Sequence, residues 1–135
     1  MNIFKRNFLV AAGVTQIKEV SITAAANATD TTVATITAQP CLIKSIVVHA
    51  DAAQTGDMTS CAVEGGTNQV VEFISAVTAV QANLDAADKQ VSWTGAVRFA
   101  AADVISIDLQ GTGPTAVDLT VTIEYIACVD GGYLA

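Results

Sequence analysis

A histidine and an aspartate two residues apart are the pair in this sequence best suited to catalytic chemistry. His49 closes an apolar segment and Asp51 follows it, and a carboxylate beside an imidazole can support general-base catalysis. A base also needs a nucleophile, and no spacing motif brings Ser45, Ser60 or Cys61 to the histidine. The sequence therefore favours a histidine that makes ordinary hydrogen bonds at a strand end, and it predicts no enzyme.

Cysteines and aspartates are the possible metal ligands. The three cysteines, Cys41, Cys61 and Cys128, are widely spaced without a CxxC motif, and a zinc site of these three with His49 has no support from spacing. They are predicted to be small, reduced core residues. The acidic residues near predicted loops are Asp51, Asp57, Asp103 and Asp108. Without a DxDxDG run they are predicted to be solvated carboxylates, so the sequence predicts no metal and no cofactor.

Composition limits the classes of partner. The chain has 135 residues, 52% of them hydrophobic and only 14% charged, with a net charge of -7. An ordinary soluble domain has about 25% charged residues, so much of this surface must be small and neutral or covered by other subunits. The six basic residues are scattered, which disfavours direct contact with nucleic acid. No apolar run approaches the roughly 20 residues of a membrane helix, so no membrane partner is predicted.

Short stretches of alternating polar and apolar residues indicate the elements that position these side chains. The clearest alternates Val117, Leu119, Val121, Ile123 and Tyr125 with polar residues. The predicted strands are residues 17–24, 31–38, 41–50, 58–64, 69–76, 90–94, 97–99, 104–110 and 117–128. This pattern predicts an all-β fold, an antiparallel β-sandwich for which a jelly roll is the commonest closure at this length.

Two segments do not fit the strand pattern. In residues 77–89, Val77, Val80, Leu84 and Ala87 have helical spacing, so either a short helix or a long loop over the end of the sandwich fits. The segment 65–68, Gly-Gly-Thr-Asn, is a strong turn signal. The chain after Gly132 is predicted to be a short tail.

The chain is divided into an N-terminal extended arm, residues 1–15, and a β-sandwich domain, residues 16–135. The arm carries Phe4, Phe8 and Leu9 outside the alternating region, so these side chains need a surface to bury against. Its short apolar segment imitates a signal peptide but no convincing cleavage site follows, and we expect it to reach a neighbouring subunit. Trp93 is the largest side chain in a sequence of small ones, so it is predicted to anchor a core or an interface.

The C-terminal half carries a resemblance to a known group of proteins. The stretch VRFAAADVISI at residues 97–107 is followed by a Gly/Thr/Pro loop and by DLTVTIEY at residues 118–125. Together they resemble the closing hairpin of jelly-roll virion structural proteins of tailed bacteriophages. In those proteins a small residue, often Gly, and an Asp precede the penultimate strand, where this chain has Ala102 and Asp103. The Ala/Thr/Val-rich, Lys-poor composition is also similar to that of capsid decoration and cement proteins.

The resemblance implies a function and a set of partners. It implies a non-enzymatic capsid decoration or cement protein that stabilises the head lattice through oligomeric contacts. The implied partners are further copies of the chain, as a homotrimer or a higher symmetric oligomer, and the major capsid protein or other virion proteins. The implied location is the virion, assembled in the host cytoplasm. The alternative hypotheses are a tail- or neck-associated virion protein and a carbohydrate-binding β-sandwich module, in which Trp93 would stack on a sugar.

Overall fold

The architecture comes from a computed structural model that describes residues 10–54 and 57–135. Phe4, Phe8 and Leu9, the predicted interface residues of the arm, lie outside the described residues. The strands within the described part are β1 (Thr15–Ile22), β2 (Thr31–Thr37), β3 (Cys41–Ala50), β4 (Met58–Gly65), β5 (Val71–Ile74), β6 (Gln90–Phe99), β7 (Val104–Gly111), β8 (Leu119–Ala127) and β9 (Tyr133–Leu134). The all-β prediction is confirmed.

The strands form two antiparallel sheets that face each other. One is a four-stranded sheet of order β1-β8-β3-β6, and the other is a five-stranded sheet of order β5-β4-β7-β2-β9. The chain crosses between the sheets at every step from β1 to β8 except the hairpin from β4 to β5. This is the double Greek key of a jelly roll, with β9 added at one edge, and the predicted jelly-roll sandwich is confirmed.

The core is built from the inward faces of the central strands. Along β8, Leu119, Val121, Ile123, Tyr125 and Ala127 are buried while the residues between them face outward, as the alternation predicted. In β3 the register shifts between Ile43 and Ser45 against both neighbouring strands. The bulge lets Ile43 and Ile46, three residues apart, both face the core, although strict alternation would turn one of them outward.

Strand β6 differs from the prediction of two short strands interrupted at Gly95. It is one continuous strand, Gln90–Phe99, and the glycine has a packing role within it. A Cβ atom added at Gly95 would lie 2.5 Å from Cζ2 of Trp93, so the missing side chain leaves room for the indole. The glycine that looked like a strand end is therefore what allows the largest side chain of the domain to lie along its own strand.

The segment 77–89 is a loop with a single 3-10 turn at Gln81–Asn83, which settles the alternative of helix or loop. The helical spacing does not reflect one buried face, because Leu84 is fully buried whereas Val77 is 84% exposed. The predicted tail is also different: Tyr133–Leu134 forms β9 and pairs with Ile36 and Thr37 of β2. Among the described residues, no helix has the length and hydrophobicity needed to cross a membrane.

The described part of the predicted arm lies on the chain's own C-terminal region. The Gly13 N–H donates to the Ala127 carbonyl at 3.0 Å, and the Gly131 N–H donates to the Val10 carbonyl at 2.7 Å. The Ala12 N–H donates to Oδ1 of Asp130 at 2.8 Å. Residues 10–13, which include a turn at Ala12–Gly13, therefore stay bonded to the chain's own residues 127–131 just beyond the end of the sheet.

Ala102 occupies the position where the resembling proteins often have glycine, and its backbone shows why. Its φ is 78°, in the left-handed region that a Cβ atom disfavours. The conformation is held by the Ala102 N–H, which donates to the Ile36 carbonyl at 2.8 Å, and by Asp103, whose Oδ2 accepts from the Ala100 N–H at 2.9 Å. The turn before β7 thus keeps a glycine geometry with an alanine in it.

Replacing Ala102 by glycine should stabilise the protein. Removing the Cβ atom relieves a left-handed conformation that costs about 1–2 kcal/mol, and the greater freedom of the unfolded glycine takes back part of the gain. We expect Ala102→Gly to raise the free energy of unfolding in urea by about 0.5–1 kcal/mol. The control is Ala101→Gly, whose φ is not positive, and it should lower stability. Equal effects of the two substitutions would contradict the prediction.

Candidate functional site

His49 lies between two carboxylates on the outer face of the four-stranded sheet, at the end of β3. Its Nδ1 atom lies 2.9 Å from Oδ1 of Asp51, and its Nε2 atom lies 3.3 Å from Oδ1 of Asp88. Thr120, the cross-strand neighbour of His49 on β8, donates from Oγ1 to Oδ2 of Asp51 at 2.6 Å. The predicted meeting of His49 with Asp51 is therefore observed, with a second carboxylate and a threonine added.

The hydrogen bonds explain the electrostatics of this cluster. The bond from Thr120 and, after it, the contact with His49 hold the pKa of Asp51 below its ordinary value, against the effect of burial. Both imidazole nitrogens of His49 face carboxylate oxygens, so neither is directed at a substrate. These contacts link β3, β8 and the loop before β6. The histidine lacks the free acceptor nitrogen that a general base needs.

The candidate nucleophiles do not reach this cluster. Ser45 lies four residues before His49 on β3, and Ser60 lies on β4 of the other sheet. Cys61 is fully buried, and its burial raises the pKa of the thiol to about 12, far from a reactive thiolate. Among the described atoms His49 is hydrogen-bonded only to Asp51, and its Nε2 atom lies 3.3 Å from the exposed carboxylate of Asp88. Nothing in this geometry assembles a nucleophile with a base.

The possible metal ligands lie apart from one another. In the part of the chain that the structure describes, no group of three or more His, Cys, Asp or Glu side chains has an arrangement that could hold a metal ion. Asp103 instead accepts hydrogen bonds from the Thr67 hydroxyl and the Ala100 N–H, which fixes the turn before β7. Cys41 and Cys61 are buried in the core, as predicted, whereas the prediction was wrong for Cys128, which is exposed in the bend after β8. Burial and, after it, the neighbouring Cys128 raise the pKa of Cys41.

The outer face of the five-stranded sheet carries a group of carboxylates. Burial, followed by repulsion from Asp108, Glu72 and Asp30, raises the pKa of Glu64. Oδ2 of Asp108 accepts from the Gln110 side chain at 2.8 Å, while its Oδ1 atom is buried without a hydrogen-bond partner among the described atoms. No described basic side chain lies within ion-pair distance of these four carboxylates. This sheet face is therefore acidic and uncompensated within the described chain.

Trp93 packs against its own chain. Its ring meets Phe73 edge-on with centroids 4.7 Å apart, and Phe73 meets Phe99 in the same way at 5.8 Å. These aromatic rings close the gap between β5 and β6, the strands at one edge of the two sheets. The indole is partly exposed and packed against the core, so only a fraction of its surface remains for a partner. A sugar platform on this side would need a ring that is free on one face.

Sequence reasoning missed two partners of His49 for a physical reason. Thr120 reaches the cluster through the register of β3 with β8, and Asp88, which itself has a φ of 69°, reaches it from the loop before β6. Neither residue has a short-range signal that connects it with His49. The cross-strand partner becomes visible only once the pairing of β3 with β8 is known.

Comparisons with known proteins identify the fold. No protein-family profile matches the sequence, and no curated protein matches it either. Structures of phage capsids do match. A chain in the acidic stable capsid structure of Helicobacter pylori bacteriophage KHP30 aligns with a TM-score of 0.58 and 9% identity, covering 91% of this chain and 95% of that chain.

Two further capsids contain similar chains. The match to the cyanophage Pam1 capsid asymmetric unit has a TM-score of 0.51 and 16% identity over 86% of each chain. The match to the capsid of Ralstonia phage GP4 has a TM-score of 0.51 and 14% identity, covering 87% of this chain and 86% of that chain. At these identities the likeness establishes the shared jelly-roll fold.

The acidic sheet face leads to a pH-dependent prediction. Because the folded-state pKa of Glu64 is raised, its ionisation costs stability as pH rises through that pKa, and the cost persists at neutral pH. Glu64→Gln should therefore stabilise the protein at pH 7, and the gain should shrink as pH falls toward 4. Urea unfolding at both pH values measures it. Glu19→Gln, which removes an exposed carboxylate from the other sheet, is the matched control. A gain for Glu64→Gln that is larger at pH 4 than at pH 7 would contradict the repulsion.

The aromatic contact predicts a structural role for Trp93. Trp93→Ala removes the edge-on contact with Phe73 and should lower the free energy of unfolding by about 2 kcal/mol or more, less than the full cost of a buried Trp because the ring is partly exposed. Trp93→Phe keeps an aromatic ring at this position and should lose less. Denaturant titration of the three proteins tests the order. Equal stability of Trp93→Ala and the parent protein would show that the ring contributes nothing to the fold.

Proposed function

We propose that this chain is a non-enzymatic structural protein of a bacteriophage particle, a capsid decoration or cement protein located in the virion. The supporting observation is the likeness to chains of three phage capsids over nearly their whole length, since 95%, 86% and 86% of those chains are covered. In each case the jelly roll accounts for almost the entire matching chain.

The surface of the molecule suits a subunit that is covered by neighbours. With only 14% charged residues, few groups keep isolated copies apart in solution. Large apolar side chains are exposed on several sides, among them Ile17 at 67%, Val70 at 76% and Val77 at 84%. Many small contacts repeated on a symmetric lattice add up through multivalency, so no single contact needs to be strong.

The acidic face supplies a second kind of contact. Asp108, Glu72 and Asp30 repel the charge of Glu64, and no described basic side chain lies within ion-pair distance, so a basic surface brought against this face would relieve that repulsion. A neighbouring capsid protein that presents lysine or arginine there would bind favourably. We propose the major capsid protein or another virion protein as this partner, together with further copies of the chain in a homotrimer or a higher oligomer.

The His49 cluster supports a role without catalysis. Both ring nitrogens are occupied by Asp51 and Asp88, and no candidate nucleophile contacts the ring. A histidine held by two aspartates ties the end of β3 to a loop, which is a structural task. The proposal assigns the outer faces and the N-terminal segment to binding, with Phe4, Phe8 and Leu9 as interface residues and Trp93 as a further anchor.

The location in the particle is the direct test. Mass spectrometry of purified virions of the phage that encodes the chain should detect it in many copies, and cryo-electron microscopy should show the sandwich at repeated positions on the head. Purified chain should also co-sediment with expanded capsids that lack it, to a saturating ratio set by the lattice. Absence from the virion contradicts the proposal, and density confined to the tail or neck replaces it with the alternative location.

A further inference from the structure

We infer that copies of this chain bind one another through opposite faces of the sandwich. A basic patch on the outer face of the four-stranded sheet, formed by Lys44 and Arg98, contacts the acidic outer face of the five-stranded sheet of a second copy. This pairing deepens the proposed function, on which it rests, because it names the partner of the acidic face.

The basic patch lies where β3 begins and β6 ends. Arg98 is exposed and is paired across the sheet with Leu42. Lys44 lies two residues further along β3, at the register shift that follows the buried Ile43, and it is half-buried and faces outward. In the described part of the chain, no carboxylate lies within ion-pair distance of Lys44 or Arg98, the neighbouring Glu124 of β8 included. Both cations are therefore available to a partner.

The acidic face offers a cleft to a cationic side chain. The cleft has a volume of about 470 Å³, and its lining includes Asp30 and Asp103. Asp30 is also one of the carboxylates that repel Glu64. The Gln69 side chain donates to Asp30 and the Thr67 hydroxyl donates to Asp103, so both carboxylates are held in place. A lysine or arginine side chain that enters this cleft can form charge-assisted hydrogen bonds.

Electrostatics favour opposite faces over like faces. The chain carries a net charge of -7, so two copies repel each other overall, and a local match of opposite charges offsets part of that repulsion. Two acidic faces brought together would add like-charge repulsion, and so would two basic patches. Contact between the patch of one copy and the acidic face of the next is a heterologous interface, in which each copy uses both surfaces.

Apolar side chains border both charged surfaces. Leu42 pairs with Arg98 on one side and with Ile126 on the other, and Leu42 and Ile126 are half-buried and face outward. Val70, just before β5, is 76% exposed, and the preceding Gln69 lines the cleft. Removing these apolar groups from water adds a favourable contribution to the charge contacts when the two faces meet.

The two surfaces lie toward the same end of the sandwich. A Cβ atom added at Gly65, the residue after Glu64, would lie 2.7 Å from Cζ of Phe99, so the end of β4 packs against the end of β6. Arg98 directly precedes Phe99. Copies joined front to back at this end can close into a ring if the rotation between them divides a full turn, and a closed ring is the arrangement of the proposed homotrimer.

Charge reversal at one exposed residue of each surface tests the contact. Glu72→Lys and Arg98→Glu change exposed side chains, so neither should disturb the fold measured by circular dichroism. Each should weaken self-association by about tenfold or more in sedimentation equilibrium, the effect of one like-charge contact in the interface. Unchanged association of either variant, or a parent chain that stays monomeric at high concentration, overturns the inference.

Asp118→Lys is the matched control. It makes the same charge change as Glu72→Lys at an exposed carboxylate just before β8, at the sheet end where Leu119 pairs with Ala50, away from the patch. Both substitutions lower the net charge and so reduce the overall repulsion between copies. Asp118→Lys should therefore not weaken association, and a loss equal to that of Glu72→Lys overturns the assignment to the acidic face.

Mixing the two variants identifies the second copy as the partner. Glu72→Lys keeps the parent basic patch and Arg98→Glu keeps the parent acidic face, so a mixture restores one complete pair of surfaces. We expect an equimolar mixture to recover most of the association that each variant loses alone. A mixture that associates no better than the separate variants overturns the inference.

These outcomes are separable from those of the proposed function. If Glu72→Lys self-associates like the parent but no longer co-sediments with expanded capsids, the acidic face binds a capsid protein. That result overturns the pairing of copies and leaves the proposed function standing. Recovery of association in the mixture supports the pairing even if the chain is absent from the head.

Discussion

The pairing of β3 with β8 is the interaction on which the rest of the molecule depends. These strands occupy the centre of the four-stranded sheet and are paired from Cys41 with Ala127 to Ala50 with Leu119. Each has another strand on its far side, so β1 and β6 take their positions from this pair. Its inward residues form one side of the core, and its outward residues include His49 and the paired, half-buried Leu42 and Ile126. Since the two strands are far apart in the sequence, their pairing closes most of the chain into one structure.

Strands were predicted correctly from the sequence where apolar and polar residues alternate strongly, and were missed or misplaced where they do not. Strand β8 was clear because its buried residues strictly alternate, and the jelly roll followed from many such strands joined by turn residues. The prediction that β6 is interrupted at Gly95 was wrong. From sequence alone, a glycine that ends a strand cannot be distinguished from one whose missing side chain makes room for a neighbouring ring. Strand β9 was missed because two residues have no period, and only the edge of β2 gives them a partner. The helical spacing in 77–89 arose from a loop that anchors Ala79 and Leu84 in the core.

For the His49 cluster, too, the sequence predicted the contact between residues that are close in sequence and missed the contacts between distant ones. His49 and Asp51 are close in sequence, and their contact was expected, whereas Asp88 and Thr120 needed the tertiary pairing. The acidic face was invisible because its members come from four different segments, around residues 30, 64, 72 and 108. The net charge of the sequence showed an excess of acidic residues, but it could not show on which face of the protein they gather. The two sheets thus present different outer surfaces, one with the carboxylates around Glu64 and one with the His49 cluster, on a fold that sequence patterns had already indicated.

Trp93 and Gly95 are linked in a way that restricts how this sequence can change over generations. The indole occupies the space where a side chain at position 95 would lie, so any residue larger than glycine meets the ring there. A descendant that enlarges position 95 first meets a clash, whereas one that first loses the indole at position 93 leaves an opening that a side chain at 95 can later fill. The two orders of substitution are therefore unequal. We expect substitution at position 93 to precede substitution at position 95, so the two positions should covary in any lineage that keeps the fold.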